Sequence, residues 1–107
     1  MKATKTYELA EKIEANCFRL DSDLKEHCKN NSESFRLGYS RIKSHDMYNK
    51  YSINNVNVKV ITGVNRENGV PSFPLIEMTG EPDNIETLLK ILGKITKVRL
   101  LELDRVI

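Results

Sequence analysis

Residues 35–51 hold the densest mixture of chemically capable side chains in the sequence. Phe35, Tyr39, Tyr48 and Tyr51 interleave there with Arg36, Arg41, Lys43, His45 and Lys50. Cations neutralise phosphates and aromatic faces stack on bases, so such a mixture suits single-stranded nucleic acid or RNA. The charge distribution agrees. Residues 34–59 hold five basic side chains and one acidic, Asp46, whereas acidic residues slightly outnumber basic ones on either side. The whole chain opposes the reading, because a formal charge of +2 over 107 residues lacks the strong basic bias usual for nucleic-acid binding. The competing reading buries Phe35, Tyr39 and Ile42 and leaves the cations as a solvated face.

A second candidate is the stretch 63–74. Phe73 stands between Pro71 and Pro74, beyond the turn signal Asn68-Gly69. An aromatic at the tip of a projecting loop is a natural anchor for a protein partner. Folded back onto the sheet, the same ring is core.

Signatures of catalysis are missing. The sequence has no glycine-rich phosphate loop, no nucleophile elbow and no HExxH. His27 and His45 are the only histidines, and the two cysteines lack zinc-ligand spacing. His45-Asp46 reads as a surface turn, and His27-Cys28 as neighbours pointing apart on a helix. Asp83 and Glu86 occupy the helix start after Gly80, where they repel an anion. No cofactor or metal is expected, and an enzyme is the less favoured reading.

These residues depend on the elements that carry them. Thr6 to about Asn30 reads as one long helix, with a seam of Ala10, Ile13, Cys17, Leu20 and Leu24 continuing to His27 or Cys28. Glu8 and Lys12 suit an i,i+4 pair on it. The seam is thin and suits packing on the domain's own sheet or on a copy of itself. Asn30-Asn31-Ser32 stops it. The segment 34–50 is ambiguous. Phe35, Leu37 and Tyr39 alternate as in a strand, yet Phe35, Tyr39 and Ile42 share a helix face, and a second helix is the expectation, with a turn at 52–55. Val56, Val58 and Val60 alternate with polar residues as a half-buried strand. A long arm over 63–74 then leads to a short strand at 75–79.

The last part is the most regular. Pro82-Asp83 precedes a helix, with Asp83 and Glu86 as a capping box and Ile85, Leu88, Leu89 and Leu92 as its apolar stripe. Gly93 is the expected left-handed stop, covered by Ile95. Val98–Leu103 reads as a strand buried on both faces. Residues 75–103 thus form a β-α-β unit with parallel strands and a right-handed crossover. With the arm before it, this unit resembles part of a ferredoxin-like small-domain arrangement. The likeness is architectural, covers under half of the chain and implies no function.

The expected fold is therefore α+β in one domain, 1–107. It comprises a long helix at 1–33, a basic-aromatic segment at 34–55 that includes a second helical segment, and a ββαβ core with a β-hairpin arm at 56–107 and a small mixed sheet. Composition, 39% hydrophobic and 30% charged, is that of a folded chain. No apolar run approaches the roughly 18 residues that span a bilayer, and no signal region opens the sequence, so a cytoplasmic protein without membrane contact is expected. Cys17 and Cys28 on one helix stand about 16 Å apart along its axis, too far for a disulfide. The leading functional expectation is a non-catalytic binding or regulatory module, with inhibition of a larger protein its most economical form. An open sheet edge and the thin seam point to a homodimer. Nucleic-acid binding through residues 35–51 is the alternative. A small-ligand, nucleotide-like binding or sequestering protein is the second.

Overall fold

The computed structural model describes residues 2–31, 34–39, 47–62 and 74–103, with residues 34–39 placed by their backbone. Its elements are β1 (Ala3–Leu9), α1 (Glu14–Asn30), β2 (Ser34–Tyr39), β3 (Met47–Ile53), β4 (Val56–Thr62), β5 (Leu75–Gly80), α2 (Pro82–Ile95) and β6 (Leu100–Glu102). The six strands form one sheet in the order β2-β3-β4-β5-β1-β6, with every neighbouring pair antiparallel. The fold is thus α+β, with a larger sheet than the sequence led us to expect.

Tyr7 and Leu9 are buried while Thr4, Thr6 and Glu8 are not, a period of two that makes residues 3–9 a strand. The single long helix is therefore corrected to a strand followed by a shorter helix. Glu8 and Lys12 do pair, at 3.1 Å, but across the turn leaving β1. α1 starts without a side-chain cap at Ile13, and the Asn16 side-chain amide donates to the Glu11 carbonyl at 3.0 Å. Its buried residues are Asn16, Leu20, Leu24 and Cys28, so the seam runs in steps of four and Ile13 stays exposed. That seam joins the domain's own core. Both cysteines are free thiols, Cys28 buried and Cys17 half-buried.

The expected helix at 34–50 is also corrected. β2 and β3 are antiparallel strands, with Ser34 opposite Ser52 and Tyr39 opposite Met47. Gly38, poor in a helix, sits within β2. The following turn is only Asn54-Asn55, both at positive φ (53° and 60°), as a two-residue type I′ hairpin requires. The strands at 56–60 and 75–79 stand, as β4 and β5.

The expected β-α-β unit is not formed by neighbouring strands: β5 and β6 do not pair, and β1 lies between them, antiparallel to both. β6 is a three-residue edge strand whose Leu101 is 51% exposed, not a strand buried on both faces. α2 begins at Pro82, with Glu81 as its N-cap and Asp83 inside the first turn, so Asp83 acts on the helix dipole and not as a cap. Gly93 lies within the helix. The end comes at Thr96, whose N–H donates to the Leu92 carbonyl and whose hydroxyl accepts from the Val98 N–H at 3.2 Å.

The core lies between one sheet face and the two helices. Tyr51, Ile53, Val56, Val58, Val60, Ile76 and Met78 project from the strands, against Leu20 and Leu24 of α1 and Ile85, Leu88 and Leu92 of α2. Full burial of each aliphatic side chain contributes about 1.5–3 kcal/mol.

Candidate functional site

Strand alternation sends every second residue to the other side of the sheet. Both helices join the core on the inner side, and among the described residues no element covers the outer one. Pairing aligns this outer face in level rows. One row runs Arg36, Lys50, Lys59, Glu77, Thr6 from β2 to β1. The next runs Tyr48, Ile61, Leu75, Glu8, Leu101 from β3 to β6. A polar row on the other flank includes Asn57, Thr79 and Thr4, with the Thr4 and Thr79 hydroxyls 3.1 Å apart.

The face is divided by charge. Its β2–β4 half carries Lys50 and Lys59 in direct register, with Arg36 at the next position out. Like charges directly opposite one another are unfavourable unless something of opposite sign meets them. Lys59 relieves part of this by setting its ammonium 5.1 Å from the centroid of the Tyr48 ring, a cation–π contact. The β5–β1 half carries Glu77 and Glu8, the latter paired with Lys12. Apolar area adjoins both halves: Leu75 is 43% exposed, and Leu101 lies at the β6 edge.

The structure separates the sequence candidates. Tyr48 and Lys50 lie on the open face, and Arg36 is in register with Lys50. Tyr39 occupies a register position of opposite parity. Tyr51 is corrected from a binding residue to a core residue: it is fully buried, and its hydroxyl donates to Asp21 Oδ1 at 2.7 Å. The same oxygen accepts from the Asn49 side-chain amide at 3.0 Å. Burial first, and then the Asp21 carboxylate, hold the Tyr51 phenol far above its ordinary range. Arg41, Lys43, His45 and Phe73 lie outside the described residues.

Sequence reasoning missed Lys59, Ile61, Leu75 and Glu77. The signal was present, since an inward Val56-Val58-Val60 series sends Asn57, Lys59 and Ile61 outward. What was lacking was knowledge that no described element packs there. A concavity of about 490 Å³ lies between the helices, where Arg19 and Asp23 of α1 face Lys94 and Lys97 near the end of α2. Its charges are of both signs, and it brings no acid–base pair onto a common point. Among the described residues no three His, Cys, Asp or Glu side chains are grouped to hold a metal, and no helix is long and apolar enough to cross a membrane. No family model, curated protein or solved structure matches this chain.

Proposed function

We propose that this protein is a non-catalytic binding module that recognises protein through the open face of its sheet. One observation carries the reading: among the described residues the six-stranded sheet is covered on one side only, and its other side combines exposed leucines with charges of both signs. Protein interfaces combine apolar area with paired polar groups. Nucleic acid is the second reading, supported by the Arg36-Lys50-Lys59 row beside the Tyr48 ring. Glu77 and Glu8 oppose it, because they continue the same surface and repel phosphates.

A photo-crosslinking amino acid at Ile61, with a control at the exposed Lys90 of α2, separates the readings in producing cells. Crosslinks to protein from Ile61 alone are expected. A partner so identified should bind the purified protein, with L75E weakening it at least tenfold. Crosslinks to RNA would transfer the function to the second reading. Equal yields from both positions, or none from Ile61, would remove the open face from the account.

A further inference from the structure

The rows of the open face are complementary to themselves. Lys59 on β4 is opposite Glu77 on β5, and Ile61 is opposite Leu75 in the next row. Asn57 is opposite Thr79 in the third. The boundary between the basic and acidic halves therefore falls between β4 and β5. Among the described residues no ion pair joins Lys59 to Glu77, and the Lys59 ammonium lies over Tyr48 instead.

We infer that the open face is occupied by a second copy of the same chain, related by a two-fold axis that runs along the strands between β4 and β5. This rests on the reading of that face as a protein-binding surface and names its partner. Such an axis keeps every row level and lays β4 of one copy over β5 of the other. Lys59 then meets Glu77 of the second copy, Ile61 meets Leu75, and Asn57 meets Thr79, each contact occurring twice, as an isologous interface demands. Packed sheets lie about 10 Å apart, a gap that an extended lysine and a glutamate fill together. A two-fold axis running across the strands through this central row is excluded by charge, because it would set Lys59 and Lys50 against their own copies.

The footprint is modest. Six strands at about 4.8 Å spacing and three rows of side chains cover roughly 25 Å by 20 Å. Two such faces bury on the order of 1,000 Å², the low end for a specific complex, so self-association in the micromolar range is expected.

Charge reversal tests the arrangement by light scattering at about 0.5 mM, well above that range. The unaltered protein should scatter as twice the 12.3 kDa chain. K59E and E77K should each weaken self-association at least tenfold, since each places like charges across both halves of the interface. An equimolar mixture of the two variants should recover the double mass. Each reversed charge then meets an opposite one at both contacts, a result no unrelated dimer would give. The double variant K59E/E77K should also recover it. Thermal unfolding verifies that each variant is folded. Where a reversal prevents folding, K59Q and E77Q replace it, and each should weaken association several-fold.

A single-chain mass for the unaltered protein overturns the inference but leaves the binding-module reading to the Ile61 crosslinks. Dimers that ignore both reversals, or a mixture of folded variants that stays monomeric, overturn this geometry.

Discussion

At the scale of single residues, the group with most consequence is the Asp21 carboxylate. One oxygen accepts from the Tyr51 hydroxyl and from the Asn49 amide, which ties the middle of α1 to β3. Hydrogen bonds to a charged acceptor contribute about 1.5–3 kcal/mol each. Tyr51→Phe removes one and leaves no new void, so a loss of roughly 2 kcal/mol is expected in urea unfolding near neutral pH. The same contact sets a pH dependence. The folded-state phenol is raised above its ordinary value of 10.0, by burial first and then by Asp21. Above about pH 10 the unfolded chain releases this proton while the folded chain holds it, so stability present below that pH falls as pH rises. Tyr7, also raised by burial and then by the charge of Glu102, adds to the fall. Unfolding measured from about pH 8 to 11 should show this decline in the unaltered protein and a shallower one in Y51F. Equal slopes would mean that Tyr51 titrates alike in both states.

At the scale of elements, the β3–β4 hairpin is held by its neighbours as much as by its own turn. The Asn54 side-chain amide donates to the Asn84 carbonyl in the first turn of α2 at 3.1 Å. The hairpin tip also presses on Gly80, where an added Cβ would lie 3.2 Å from the Asn55 carbonyl oxygen and 3.2 Å from Val56 Cγ2. These contacts are backbone and a fully buried valine, which have little room to yield. Gly80→Ala should therefore lower stability by about 1–3 kcal/mol. Gly93 is the opposite case. It is exposed within α2, and an added Cβ meets nothing within 4 Å. Gly93→Ala should raise stability by about 0.5–1 kcal/mol through helix propensity alone. Denaturant midpoints moving in opposite directions, with unchanged slopes, check both expectations. A destabilised G93A would show that the helix end needs the glycine after all.

For the whole molecule, the decisive feature is that the first strand of the chain lies inside the sheet. Ala3 pairs with Gly80 on one side of β1, and Tyr7 pairs with Glu102 on the other. Those contacts are distant in sequence, so loop closure precedes them and folding should be slower than in helical proteins of equal length. Removal of residues 1–9 would strip β5 of a partner and leave β6 unpaired, besides deleting Tyr7 and Leu9 from the core. The shortened chain should show no cooperative thermal transition, whereas loss of a peripheral strand would only lower the midpoint. A retained sharp transition would mean that the remaining strands and helices are sufficient without β1.

Several parts of this arrangement are written locally in the sequence. The alternation of Val56, Val58 and Val60 is a strand wherever it lies, because only period two buries all three. The stripe of Ile85, Leu88 and Leu92 behind Pro82 is likewise a helix on local grounds. The basic-aromatic character of residues 35–51 is also plain, but not its meaning. Tyr48 and Tyr51 are three residues apart, a spacing that shares one face of a helix and divides between the two faces of a strand. In the sheet, Tyr48 stays outside with Lys50 and Lys59, while Tyr51 enters the core beneath α1. Residues 3–9 pose the same problem, since Tyr7 and Leu9 become a strand through pairing with β5 and β6, elements some 70 or more positions away. Composition and periodicity thus determined which segments carry apolar area and charge. Which face that charge occupies was decided by tertiary pairing, because a shift of one residue in a strand exchanges inside for outside.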